Sequence, residues 1–170
     1  MMKNTIKVFV LVALTLAAMS VSAQVKLGHI ETQKLIQAMP EWTAAQKTFE
    51  EEQKKVNTEL NSLREQFQTK LAEYSEKMKT YSEAMRATTE EELQGLQQRI
   101  QRFQETAMAQ LEKTQNDLMQ PVMEKALNAI KEVGKENGFT YIFDMNAGIL
   151  YAAENSQDVL PLVKKKLGLQ

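Results

Sequence analysis

The side chains that could carry acid–base, metal or phosphate chemistry are few, and none has the company that chemistry needs. His29 is the only histidine and there is no cysteine, so a zinc or iron centre lacks its usual ligand set. A lone imidazole can sense pH, but a strand position near a sheet edge accounts for His29 more simply. Asp144-Met145-Asn146-Ala147-Gly148 has the outline of a calcium loop, yet its third acidic position is missing and Asn155 stands where a bidentate glutamate belongs. A tight β-turn fits it better. Gly134-Lys135 is no phosphate loop, because Ala129 replaces the first required glycine and Glu136 follows the lysine. Lys164-Lys165-Lys166 suits the end of a final helix and is a short cationic run able to touch membrane lipid peripherally. Nothing assembles a nucleophile, a base and an oxyanion site. The chain reads as a non-enzyme that needs no metal or other cofactor.

A different chemistry, adaptable apolar contact, is better supplied. Met78, Tyr81, Met85 and Leu93 lie on one helical stripe. Flexible thioethers and amphipathic rings suit variable partners. Most of the stripe is expected to zip two helices together, which leaves flanking residues such as Ala84 and Met108 as further candidates for contact with a client.

The stripe lies between Pro40 and Pro121, a stretch with no proline and one glycine, Gly95. One half runs Val56, Leu60, Leu63, Phe67, Leu71, Tyr74, Met78, Tyr81, Met85. The other runs Leu93, Leu96, Ile100, Phe103, Ala107, Leu111, Leu118. The steps are mostly the threes and fours of a coiled-coil seam. Each half has two consecutive steps of four, at Leu63-Phe67-Leu71 and Phe103-Ala107-Leu111, placed as mirror images about position 87. Thr88 and Thr89, with Glu91 and Glu92 three residues on, offer a capping box at the same place. The pattern predicts a helical hairpin over 41–120 with its turn near 86–89. Helices of that length reach roughly 65 Å, and a lone pair so thin should bend and splay.

The flanks read differently. Lys3 and Lys7, the apolar run Val8 to Ala18 and the small residues Val21-Ser22-Ala23 read as a secretory signal spanning residues 1–23, cleaved before Gln24. The remainder has 19 basic and 22 acidic residues, a balance with no general attraction to nucleic acid. Val25, Leu27 and His29 alternate as a strand does, and Thr32 to Met39 suits a short helix. Pro40 fits a helix first turn. Past Pro121 the apolar face continues to Asn137-Gly138, a helix end. Phe139 to Phe143 and Ile149 to Ala152, separated by Met145-Asn146-Ala147-Gly148, predict a β-hairpin. Val159 to Leu167 predicts a last helix behind a Ser156-Gln157-Asp158 cap.

The fold class is therefore α+β: a small β-sheet body from 24–40 and 121–170, with the long helical arm inserted between strands. Such a body makes a thin core by itself. Val25, Leu27, Tyr141, Phe143, Ile149 and Tyr151 are expected to complete it by packing against other copies.

The order of elements resembles the Skp (OmpH) family of periplasmic chaperones. The matching stretches are Val25-Lys26-Leu27-Gly28-His29-Ile30-Glu31-Thr32-Gln33-Lys34-Leu35 and Tyr141-Ile142-Phe143-Asp144-Met145-Asn146-Ala147-Gly148-Ile149-Leu150-Tyr151, with the Asp158-Val159-Leu160 helix. The resemblance implies a homotrimer whose arms surround a cavity. There, unfolded outer-membrane proteins are held against aggregation without ATP. The chain departs from the markedly basic arms of well-known members, since 41–120 carries 11 basic and 15 acidic residues. That shifts the expected grip on clients from opposite charge to apolar contact. The rival reading is a structural or adaptor coiled-coil protein of the envelope that binds one folded partner.

Overall fold

The computed structural model describes residues 25–169, so the expected signal segment lies outside the described residues. The order is β1 (Leu27–Ile30), α1 (Thr32–Gln37), α2 (Pro40–Lys77), α3 (Glu83–Glu136), β2 (Tyr141–Asp144), β3 (Gln157–Asp158) and α4 (Leu160–Lys166). The helical hairpin is an insertion between β1 and β2, as its flanking strands imply. None of the described helices is long and apolar enough to cross a membrane.

The body is built around β1. It turns Gly28 and Ile30 inward and Leu27 outward, the alternation of a half-buried strand. Gly28 is required by proximity: a Cβ there would lie 2.8 Å from the Phe139 ring and 2.9 Å from Val159 Cγ1. Val122, Ala126, Ala129 and Val133 form the buried stripe of lower α3, and meet Ile30, Leu35, Met39, Val159 and Val163 in one cluster. Steps of four, three and four keep those α3 side chains on one face. The cluster reaches Trp42 and Met119 at the arm root. Pro40 occupies the first turn of α2, whereas Pro121 is exposed inside α3. Its ring removes the N–H that would bond to the Asp117 carbonyl, a deletion the helix survives through its packed neighbours.

Two local expectations are corrected. The arm does not turn at 86–89: α2 ends at Lys77 and α3 begins at Glu83. The cross-arm pairs Tyr74–Glu90, Lys70–Glu92 and Glu41–Lys125 centre on residues 81 to 83. A seam of threes and fours lands on itself after three steps, so sliding one helix by about ten residues preserves the stripe. Pattern alone therefore fits both axes, and local chemistry decides. Ser82 caps α3, its hydroxyl accepting from the Met85 N–H at 3.3 Å. The Thr80 N–H and hydroxyl both bond the Lys77 carbonyl, closing the end of α2. Thr88 and Thr89 lie inside α3, with the Thr89 hydroxyl donating back to the Met85 carbonyl at 2.8 Å.

The second correction concerns the sheet. Its order is β2-β1-β3, and both outer strands run parallel to β1. No β-hairpin forms, because a hairpin needs antiparallel neighbours. Instead, the chain from Met145 to Ser156 returns to the start of the sheet, and Ile149 to Ala152 lies on that return without a strand partner. β1 is the central strand: Leu27 pairs with Tyr141 and His29 with Phe143 on one side, and His29 with Asp158 on the other. Parallel pairing of β1 with β2 demands a long crossover, which is supplied here by the whole arm.

Candidate functional site

Two surfaces hold the side chains with contact chemistry, one on the arm and one on the body. On the arm, Leu63, Leu93 and Ala107 are the buried seam, joined near the root by Ala45. The opposed helices are laced by Lys70–Glu92 and Glu41–Lys125 ion pairs and by the Tyr74 hydroxyl donating to Glu90. The Lys125 ammonium bonded to Glu41 holds that carboxyl below its ordinary value. The Glu92 carboxylate pushes the Lys70 ammonium up, and the Glu90 carboxylate does the same to the Tyr74 hydroxyl. All these groups are partly or fully open to water, so each pair adds little to stability.

The seam is not uniformly closed. An open cleft of about 820 Å³ lies between the helices, lined by Gln66, Lys70, Glu92, Gly95, Leu96 and Arg99. No atom approaches within 4 Å of where a Gly95 Cβ would stand. Gly95 itself is exposed beside this cleft, between the seam residues Leu93 and Leu96. Near the root, a smaller cavity of about 100 Å³ lies among Trp42, Ala45, Phe49, Leu118 and Met119.

The hairpin turn brings three of the expected contact residues together. Met78 follows the end of α2, Tyr81 sits in the turn and Met85 lies in the first turn of α3. Met78 and Met85 are exposed and Tyr81 is half-buried, its ring 6.3 Å from that of Tyr74. Leu93 is not part of this patch: at 9% exposure it is a seam residue. Its side chain fills space between the helices, which the corrected turn explains. Met108 stands fully outward on α3, separate from the tip.

On the body, Val25, Leu27, Tyr141 and Phe143 are all exposed. The register places Leu27 beside Tyr141 and His29 beside Phe143, so these residues share the outer face of the sheet. The Tyr141 and Phe143 rings stack at 6.1 Å. His29 Nδ1 lies 2.8 Å from the Ser156 hydroxyl, tying the return segment to β1. Tyr151 is exposed on that segment while Ile149 is half-buried. Leu150, which sequence reasoning passed over, is 99% exposed. Its alternation with Ile149 and Tyr151 was the available signal. Asp144 caps its own turn, its carboxylate accepting from the Asn146 N–H at 3.0 Å and the Thr32 N–H at 3.4 Å. The loop is thus closed by backbone donors in the way a turn requires. Lys166 pairs with Glu132 and Glu136, which leaves Lys164 and Lys165 as the remainder of the cationic run. Among the described residues no group of three or more His, Cys, Asp or Glu side chains is arranged to hold a metal.

The arrangement of body and arm recurs in a known structure. A protein from Caulobacter crescentus CB15, described as an OmpH-like outer membrane chaperone, superposes with a TM-score of 0.75 over 85% of each chain at 16% identity. No curated protein matches the chain. The family model for OmpH-like outer membrane proteins matches residues 26–167, which takes in the sheet, the whole arm and the last helix. The chain belongs to the OmpH-like outer membrane protein family.

Proposed function

We propose that this protein is an ATP-independent holdase of the periplasm. In this reading it binds unfolded outer-membrane proteins between the arms of a homotrimer and keeps them from aggregating. The observation that carries the reading is a long arm with an apolar tip, Met78, Tyr81 and Met85, rooted in a small body whose outer sheet face is itself apolar and exposed. An exposed patch rimmed by polar residues marks a surface for a partner. The two patches suit different partners. Flexible thioethers at the tip fit segments of no fixed shape. The stacked, register-fixed residues on the sheet fit a repeated, rigid surface such as another copy of the chain. The Caulobacter protein's description as a chaperone supports the same reading.

Binding in such a cavity is many-point, weak per contact and strong in sum. Release needs no nucleotide, because a client that reaches a better fold withdraws its apolar segments. Suppression of light scattering from an unfolded β-barrel protein tests the proposal. The expected result is suppression at one trimer per client. Undiminished aggregation, or capture of one folded partner in its place, contradicts it.

A further inference from the structure

The sulfur atoms of this chain are divided by exposure. With no cysteine, methionine supplies all of them. Met39 lies in the body core at 1% exposure and Met123, on the part of α3 that packs on the body, is 38% exposed, while Met78, Met85 and Met108 on the arm are 41%, 53% and 74% exposed. None of the three belongs to the buried seam, which is made by Ala45, Leu63, Leu93 and Ala107. The arm thus presents thioethers that can change chemically without disturbing what holds its helices together.

We infer that Met78, Met85 and Met108 are a set of oxidation sites that weakens the arm's grip on apolar segments when peroxide-class oxidants convert them to sulfoxides. This deepens the holdase reading and rests on it. In the step, hydrogen peroxide gives one oxygen atom to the thioether sulfur. The O–O bond breaks, an S–O bond forms, the sulfur loses two electrons and water leaves. The product is a polar, chiral side chain in place of a flexible apolar one. Two features of this chain give that change weight. The arm has an acidic excess, 15 against 11 over residues 41–120, so attraction to clients depends on apolar contact. The tip also concentrates that contact in a few residues, two of them methionines on either side of the turn. The change is reversible, since methionine sulfoxide reductases remove the oxygen as water while their thiols become a disulfide.

The test treats the purified chain with graded hydrogen peroxide and maps sulfoxides by peptide mass. Binding of an unfolded, fluorescently labelled β-barrel protein is then measured before and after. Sulfoxide is expected first at Met108, Met85 and Met78 and last at Met39, with helical circular dichroism unchanged. The apparent Kd for the client is expected to rise roughly tenfold, the effect of losing a few thioether contacts. The triple variant Met78→Leu, Met85→Leu, Met108→Leu is compared with itself before and after peroxide, and whatever its starting affinity it is expected to keep that affinity. Oxidised parent that binds unchanged, a triple variant that weakens equally, or Met39 oxidising alongside the arm overturns the inference. Failure of the untreated chain to bind any client overturns the holdase reading instead, while the order of oxidation is read without a client.

Discussion

The body and the arm bury side chains in different ways. In the body, Ile30, Leu35, Val159 and Val163 lose essentially all exposure within one cluster fed by two strands and four helices. In the arm, helices of 38 and 54 residues share a seam with only Ala45, Leu63, Leu93 and Ala107 buried along it. A residue in the body touches neighbours on all sides, and its loss is felt by the whole cluster. A residue in the arm touches one opposing helix, and its loss is felt over a turn or two. The body can specify one shape, and the arm can carry apolar residues outside its own packing.

The contrast breaks most sharply if body substitutions are mild. Leu35→Ala, at a position with no exposure, is expected to cost about 2–5 kcal/mol, read as a lower denaturation midpoint for the whole chain. Gly28→Ala should come next, at about 1–3 kcal/mol, because its Cβ meets the Phe139 ring and Val159. Equilibrium unfolding followed by circular dichroism measures both. Leu63→Ala in the arm removes a similar volume but is expected to act locally, with faster amide exchange in the surrounding turns and a body midpoint nearly unchanged. Should the body unfold with it, the two regions are one cooperative unit and the comparison fails.

Smaller effects sharpen it. Ser82→Ala is expected to cost about 1 kcal/mol of local stability, seen as exchange at the Met85 amide it serves. Thr88→Ala should cost nothing comparable, since that residue is within α3. The smallest effect concerns pH at the arm root. The Lys125 ammonium holds the Glu41 carboxyl below its ordinary value of 4.5. A lowered folded-state value stabilises the folded form above the unfolded value, and that contribution fades as pH falls through the lower one. Amide exchange around Glu41 and Lys125 should therefore quicken below about pH 4.5 in the parent but not further in Glu41→Gln. Both groups are substantially exposed, so the change is small.

Much of this architecture is legible in the chain, and the misses have physical causes. Pro40, the break at Asn137-Gly138 and the alternation around Leu27 are local signals that the environment reinforces, and they place elements correctly. The turn was misplaced because a repeating seam leaves its own register open. The decisive signal, Ser82 three residues before the amide of Met85, is a single hydrogen bond that apolar spacing does not encode. Ile149 to Ala152 has strand-like residues, but it joins neither outer strand: β2 and β3 are each bonded to β1 alone. Exposure at Met78 and Met85 could be anticipated from their place at the end of the stripe. The burial of Leu93 follows from its place on the stripe, and only its distance from the tip depends on which register the helices choose.

In the proposed holdase, the arm tip grips polypeptide that has no fold. The most direct test of that grip is the aggregation of an unfolded β-barrel protein with stoichiometric parent chain and with the Met78→Ser, Tyr81→Ser, Met85→Ser variant. The parent is predicted to suppress scattering, and the variant, with its helical content intact, to require several-fold more protein for the same protection. Equal aggregation with and without the parent, or equal protection by parent and variant, would contradict it.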